Sequence, residues 1–342
     1  LNGSRSPGRR GSMKYIDNRN TDPRFNLALE EVLFQSVRDE EDGYFLLWQN
    51  EPTVVVGRFQ NTLEEINVPV VRDRGIHVVR RVSGGGAVYH DFGNLNFTFI
   101  LRTGDPQGLD FRKMTEPVIT ALLNLGVDGN LVGRNDLVIG GKKFSGNAQY
   151  MREGRFLHHG TILFDSDLNV LEKVLLADPD KFKSKGVKSV RSRVTNIRPH
   201  LKGEQDIEEL RAALLSAVRE RWPGLETTTP APSMMARTKA LEESKYGTWD
   251  WNYGASPEFD LRKQRRFSFG KVDVRLNVRQ GRVTFCRIFG DFFGNDDIAC
   301  LEDGLEGVEF SEKGLMEALA QVEVSRYIAG MDGPSFIELV LG

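Results

Sequence analysis

The chain has 342 residues, 39% of them hydrophobic and 27% charged, with a net charge of −2. That is more chain than one hydrophobic core usually holds, so two domains are expected. The balanced charge lacks the basic excess of a nucleic-acid surface, and no apolar run nears the ~20 residues that cross a bilayer. Two cysteines, Cys286 and Cys300, make no secreted disulfide scaffold and fit a reducing cytoplasm.

Residues 1–12 (LNGSRSPGRRGS) are rich in Gly, Ser and Arg and lack acids. Their glycines and Pro7 oppose the amphipathic helix of a targeting peptide, and Met13 follows a Gly-Ser pair, so they read as a cloning scar outside the fold. Asp22-Pro23 then joins a capping side chain to a proline at the first helical position. Leu29, Val32, Leu33 and Val37 follow at the spacing of one buried helix face. Strand-like runs come next at Tyr44–Gln49, Thr53–Val56 and His77–Arg81. Asn94–Leu101 alternates, with Leu95, Phe97, Phe99 and Leu101 on one side, the period of a half-buried strand.

Phe111–Leu125 reads as a helix whose regular part starts near Thr115, because of Pro117. Leu137–Ile139 and Lys142–Tyr150 read as strands joined by a hairpin turn at Gly140-Gly141, and Gly154 turns the chain into Phe156–Phe164. Ile207, Leu210, Leu214 and Val218 share a helix face. Composition shifts near Trp222-Pro223, and Thr227–Pro232 (TTTPAP) reads as a loop or linker. Beyond it Val272, Val274, Leu276 and Val278 alternate, Gln280-Gly281 turns, Arg282–Ile288 returns, and helical signals follow near Gly314–Val322. The pattern lacks strict strand–helix alternation, so the expected class is α+β, with a large domain over 13–250 and a small α+β unit over 251–342.

Three segments carry chemistry. Arg80-Arg81-Val82-Ser83-Gly84-Gly85-Gly86-Ala87-Val88-Tyr89-His90-Asp91 lies between two expected strands. Three glycines permit positive φ and leave backbone amides bare, and consecutive inward amides bind anions; the plain alternative is a flexible hairpin tip. It is not a Walker loop, since no G-x-x-x-x-G-K-[ST] occurs. The second segment, Gly133-Arg134-Asn135-Asp136-Leu137 with Gly141-Lys142-Lys143-Phe144-Ser145-Gly146-Asn147-Ala148, places Asp136 and Lys143 on neighbouring hairpin strands. A carboxylate there suits Mg²⁺ shared with phosphates, and a lysine suits phosphate charge; a solvated lysine pair is the plain alternative. In the third, Leu157-His158-His159-Gly160-Thr161-Ile162-Leu163-Phe164, adjacent histidines on a strand face opposite ways, and either also suits a purely structural role.

Together these segments resemble the lipoate–protein ligase A family of the biotin/lipoate ligase superfamily. The matching stretches are Arg80–Phe99, Gly133–Ala148 and His158–Leu163, with weaker echoes at Asn26–Glu31, Trp48–Gly57 and Val194–Ile197. The resemblance spans Met13–Arg198, and the small C-terminal unit resembles the accessory domain of such ligases. It implies a large mixed-sheet catalytic domain that makes lipoyl-AMP from lipoate and ATP. The lipoyl group then passes to a lysine of a lipoyl domain of a 2-oxoacid dehydrogenase complex or of the glycine-cleavage carrier protein.

By position in the matched motifs, Lys143 is the catalytic lysine at the lipoyl–phosphate junction. Arg81, Gly86, Ala87, Val88 and Tyr89 contact ATP and lipoyl-AMP. Ser83 and His159, with Lys143, border the lipoate, and Asp136 is the candidate ligand for Mg²⁺. Acyl transferases of the same superfamily that use a cysteine are a rival, although both cysteines lie in the C-terminal unit. Biotin ligase is a second rival, whose activating loop has a GRGRxGR-like pattern in place of RRVSGGGAVYHD; a non-catalytic adaptor on the same scaffold is a third. Phe182–Val194, basic with Gly and Ser, reads as a loop able to close over an adenylate.

Overall fold

The computed structural model describes residues 12–38, 42–102, 110–176, 193–253 and 260–341. Most of the N-terminal segment and of the basic Phe182–Val194 stretch lies outside the described residues. The described residues fall into two compact units that interleave along the chain. One is drawn from Leu1–Thr53, His90–Glu172 and Val187–Tyr246, the other from Val54–Tyr89, Lys173–Gly186 and Gly247–Gly342. In chain order the strands are β1 (Ser12–Asp17), β2 (Asp42–Trp48), β3 (Thr53–Val56), β4 (His77–Arg80), β5 (Val88–His90), β6 (Asn94–Arg102) and β7 (Asn130–Val132). They continue with β8 (Asp136–Ile139), β9 (Lys142–Arg152), β10 (Arg155–Leu163), β11 (Glu226–Thr227), β12 (Leu261–Phe267), β13 (Gly270–Arg279) and β14 (Arg282–Gly290).

The first unit is built on an eight-stranded sheet in the order β11-β1-β2-β6-β10-β9-β8-β7. β1 runs parallel to β2 and β11, and the other neighbours are antiparallel, so the sheet is mixed. The helix Pro23–Ser36 starts as expected: the Asp22 carboxylate accepts from the Arg24 amide at 2.8 Å, and Pro23 fills the first turn. Phe97, Phe99, Leu137 and Phe144 pack against Met114 and Val118 of the helix Phe111–Asn124 and Leu210 and Leu214 of the helix Ile207–Arg221.

Two local expectations need correction. Asn94–Ile100 is buried on both sides, because the polar side of β6 faces the helix Pro23–Ser36 and hydrogen-bonds there through Thr98. The helix with Pro117 begins at Phe111, four residues before Thr115, because Asp110 caps it by accepting from the Lys113 amide at 2.8 Å. Proline there removes a single rung of the ladder. The TTTPAP stretch is a loop over 228–231, as expected, bounded by Thr227 at the end of β11 and Pro232 at the start of a further helix, and the Thr228 amide donates to Tyr15 O at 2.8 Å.

The second unit holds a small sheet, β4-β3-β5, and an antiparallel sheet, β12-β13-β14. Gln280 and Gly281 turn β13 into β14 with φ of 50° and 72°. Val272, Val274, Leu276, Cys286, Ile288 and Phe292 form a core with Leu301 and Phe336 of the covering helices Ile298–Leu305 and Gly333–Leu341. The outcome is α+β, a large mixed sheet and a small antiparallel one.

One buried acid makes that second core sensitive to pH. Glu302 is 6% exposed and accepts from the Ile288 amide at 2.7 Å. Burial pushes its carboxyl up to about 7; the Ile288 amide and Arg287, 3.7 Å away, oppose this, while Asp303 and Asp297 add to it. Cys286 and Glu306 share its surroundings. A carboxyl with a raised folded value binds more protons folded than unfolded, so stability falls as pH rises from about 4.5 to about 7 and then levels. The range of that loss is ~3 kcal/mol at most. Glu302→Gln is expected to flatten this slope when thermal unfolding is followed at pH 5, 6, 7 and 8. A slope as steep as in the parent chain would remove Glu302 as its source.

Candidate active site

Lys143 is placed by the hairpin. β8 and β9 are joined by the two residues Gly140 and Gly141, with φ of 55° and 78°, the left-handed pair that such tight turns require. A register shift follows, which leaves Phe144 fully buried in the core. Asp136 pairs in register with Gly146. The Lys143 side chain lies along its own strand over Gly146, where a Cβ would stand 2.8 Å from Nζ and 3.0 Å from Cε. There Nζ meets Asp136 Oδ1 at 2.7 Å, with the two side chains 35% and 29% exposed. The two residues of the second motif therefore come together as one ion pair. The floor beneath them is fixed: the Gly146 amide donates to Thr161 Oγ1 at 3.2 Å, and the Thr195 amide donates to Lys143 O at 2.9 Å.

Ser145 and Asn147 are tied into this scaffold. Asn147 Nδ2 donates to Asn135 O at 3.1 Å and to Ser145 Oγ at 3.2 Å, and Asn135 Nδ2 returns a bond to Asn147 O at 2.7 Å. The two histidines separate across the sheet. His158 is fully buried; Gln149 donates to its Nδ1 at 3.1 Å, and Nε2 donates to Asn147 Oδ1 at 3.3 Å. Burial, reinforced by the neighbouring His159, pushes its imidazole down to about 3, so it is neutral and structural. His159 Nδ1 meets the carboxylate of Glu30 at 3.1 Å on the other side. Glu30 is 1% exposed and also accepts from Thr98 Oγ1, which in turn accepts from Trp48 Nε1 at 2.9 Å. Sequence reasoning missed Glu30. Its signal was polar Asn26 and Glu30 four apart on a helix face otherwise filled by Leu29, Val32 and Leu33.

The glycine loop belongs to the second unit, and it is packed rather than a flexible tip. Residues 81–85 are buried, and Gly86, Ala87 and Val88 are half-buried. Arg81 lies beneath: Nε donates to Ser83 Oγ at 3.0 Å, and its terminal nitrogens donate to Val55 O at 3.2 Å, Gly84 O at 2.8 Å and Gly86 O at 2.9 Å. Ser83, fully buried, also accepts from the Arg58 amide at 2.9 Å, and Tyr89 is buried on β5. Gly85 takes φ of 93°, and a Cβ on Gly57 would stand 2.0 Å from Gly85 O, so bare backbone is required at both.

Arg80 plays a separate part. Its guanidinium donates to the carbonyls of Gly57, Arg58, Gln60, Trp251 and Asn252 and to Thr62 Oγ1. Burial, with repulsion from Arg58, pushes it down to about 10. It staples the segments around the loop. His90 and Asp91 belong to the first unit. Asn50 Nδ2 donates to His90 Nδ1 at 3.1 Å, and Asp91 accepts from the amides of Gly93 and Asp167. Cys286 is fully buried and its thiol is pushed up by burial, so it makes a poor nucleophile; Cys300 is exposed. Among the described residues no three metal-ligating side chains converge and no helix is long and apolar enough to cross a membrane.

In the first unit an ammonium stands over bare backbone, and in the second a glycine loop is packed around buried arginines; each is a feature suited to anionic groups on an α+β scaffold. The family model for the lipoyl protein ligase A/B catalytic domain matches residues 22–219, and that for the bacterial lipoate protein ligase C-terminus matches residues 256–340. The chain belongs to the lipoate–protein ligase family. Lipoate-protein ligase LplJ of Bacillus subtilis is 42% identical over 335 residues, covering 96% of this chain and all of that one. A P. falciparum LipL1 structure in complex with lipoate superposes with a TM-score of 0.75 at 25% identity, over 96% of this chain and 98% of that one. A bipartite lipoate protein ligase from Thermoplasma acidophilum, described together with its E2 lipoyl domain as an archaeal lipoylation system, gives 0.64 at 30% identity over 73% and 99%. A lipoate-protein ligase A bound with ATP gives 0.62 at 29% identity over 72% and 99%.

The position of Gly146 yields a direct test. In Gly146→Ala the new Cβ would displace the Lys143 ammonium, a flexible end that moves at little energetic cost. Ligase turnover is expected to fall by about tenfold or more, with the melting temperature nearly unchanged. Normal turnover in a folded variant would show that Lys143 tolerates displacement.

Proposed function

We propose that this chain activates lipoate with ATP and passes the lipoyl group to a lysine on a carrier domain. The observation that carries the reading is Lys143, fixed over Gly146 by Asp136 within the matched catalytic region. In the first step a lipoate carboxylate oxygen attacks the α-phosphorus and the bond to pyrophosphate breaks, leaving lipoyl-AMP. Two anions must approach, and a preorganised ammonium lowers that barrier. Lys143 serves the α-phosphate and the lipoyl carbonyl oxygen. In the second step the acceptor amine, deprotonated from an ordinary value of about 10.4, attacks the acyl carbon. Lys143 stabilises the resulting oxyanion, and AMP leaves.

The nucleotide contacts fall to Arg81, Gly86, Ala87, Val88 and Tyr89, and Arg81 also gathers the loop carbonyls of Gly84 and Gly86. Ser83 and His159 are kept as lipoate-contacting residues. One carboxylate suffices for Mg²⁺ when phosphates and waters complete its shell, so Asp136 fits an ion that arrives with the nucleotide. There it would hold Mg²⁺, whose charge would ease the departure of pyrophosphate. The acceptors are lipoyl domains of 2-oxoacid dehydrogenase complexes or the glycine-cleavage carrier protein; the archaeal lipoylation system made of a similar ligase and its E2 lipoyl domain supports the former. A cysteine-borne acyl group is disfavoured because both cysteines lie in the C-terminal unit, outside the matched catalytic region, and Cys286 is buried there.

Labelled pyrophosphate is expected to exchange into ATP when lipoate is present and not with biotin, with octanoate as a comparison substrate. Lys143→Ala should cut that exchange by about 10²–10³. Absence of exchange from folded protein would sink the ligase reading. A near-normal rate in folded Lys143→Ala would return Lys143 to an ordinary surface charge.

A further inference from the structure

The glycine loop has no ladder of its own between Arg81 and Ala87, so its shape comes from what it touches. One of those contacts comes from some 200 residues further along the chain, in the turn after β14. The Gly85 amide donates to Phe292 O at 3.2 Å. A Cβ on Gly84 would stand 2.3 Å from Phe292 O and 3.1 Å from the Phe293 ring. A Cβ on Gly85 would stand 3.3 Å from the same ring. Both glycines are therefore required by this turn, and Gly85 by its positive φ as well.

The turn is rigid. Phe292 is fully buried and stacks on Phe59 with ring centroids 4.8 Å apart and planes 12° apart. The Gly290 amide donates to Phe59 O at 2.6 Å, the Lys271 amide to Asp291 Oδ1 at 2.5 Å, and the Ala329 amide to Phe293 O at 2.7 Å. A Cβ on Gly290 would stand 2.0 Å from Lys271 O, so the strand end packs too closely there to admit a side chain. A stiff turn pressed on a segment without regular structure sets the conformation of that segment, rather than the reverse.

We propose that the Phe292–Phe293 turn is a positioning device for the glycine loop: Phe292 O takes the Gly85 amide, the Phe293 ring covers the Gly84–Gly85 backbone, and the half-buried Gly86–Val88 stretch is thereby presented to the nucleotide phosphates. The inference rests on the adenylating ligase reading and deepens it. Gly85 is withdrawn from anion binding, and the nucleotide-binding amides begin at Gly86. Phe292 and Phe293 touch neither substrate nor reacting atoms in this scheme; they act through the loop.

The test uses the full chain and separates the two half-reactions. Phe293→Ala is expected to raise the KM for ATP in lipoate-dependent pyrophosphate exchange by about 10–100-fold, the scale of a misplaced contact. Transfer from supplied lipoyl-AMP to an acceptor domain should be far less affected. Phe293→Tyr, which keeps the ring, should restore the ATP KM. A general loss of structure would depress both half-reactions together. An unchanged ATP KM in folded Phe293→Ala, beside normal exchange by the parent chain, would overturn the positioning role alone; no exchange by the parent chain would overturn the ligase reading. Residue-resolved amide exchange on the unaltered chain needs no variant: a protected Gly85 amide supports the clasp, and a rapidly exchanging one overturns it.

Discussion

The guanidinium of Arg81 is the point from which the glycine loop is built. A run of three glycines has the largest conformational entropy to lose on ordering, and no side chains with which to repay it through packing. Here the loop carbonyls of Gly84 and Gly86 are both gathered by one buried cation, which also reaches Val55 O and Ser83 Oγ. Charge-assisted bonds of this kind are stronger than neutral ones, and several from one planar group fix orientation as well as distance. Arg80 does the same one residue earlier for Gly57, Arg58 and Gln60. Two adjacent arginines on opposite sides of the chain thus hold both segments that border the loop. A burial cost that lowers Arg80 to about 10 is tolerated because carbonyls and a hydroxyl surround its donors.

That arrangement explains what the sequence made legible and what it did not. Local grammar was readable: Asp22-Pro23 opened a helix, Gly140-Gly141 closed a two-residue hairpin, and the spacing of Asp136 and Lys143 brought them within 2.7 Å. Each depends on residues a few positions apart. The bonds from Arg81 to the loop were not readable, because a motif of arginines before glycines does not say which carbonyls a guanidinium gathers. Likewise Glu30 and His159 are 129 positions apart, and Gly85 and Phe292 are more than 200 apart. No periodicity connects such pairs; only the folded sheet and the turn after β14 do. The alternation of β6 misled for a related reason. Its polar residues face a helix, and hydrogen bonding to Glu30 and Trp48 makes that burial acceptable.

The buried pair of Glu30 and His159 and the neutral His158 show how two adjacent histidines acquire different surroundings. His158 lies among Phe97, Phe111 and side-chain amides, where a charge has no compensation. His159, one residue on, points through the sheet to a carboxylate. The strand period of two is the cause. A similar economy governs the asparagines: Asn26 Nδ2 donates to Asn20 O, Gln49 O and Asn50 Oδ1, and Asn50 passes a bond on to His90. Buried amides with satisfied partners rigidify the sheet end from which the chain leaves toward its glycine loop.

Lys143 illustrates why a moderate interaction is the useful one. Its pair with Asp136 is about one-third exposed on both sides, and pairs of that kind contribute only about 0–1 kcal/mol. A deeply buried pair would be costly to break, and removing one partner would strand the other. At its observed depth the carboxylate restrains the ammonium without locking it, and Gly146 keeps the path along the strand clear. Under the proposed function, phosphate oxygens, which offer charge-assisted bonds of the same kind, would draw the ammonium from Asp136 with little loss and leave that carboxylate available to a cation accompanying the nucleotide. Under that proposal the weakness of the resting pair is a condition for the lysine to act on an incoming anion, while the hairpin beneath it supplies the precision that a lone surface lysine would lack.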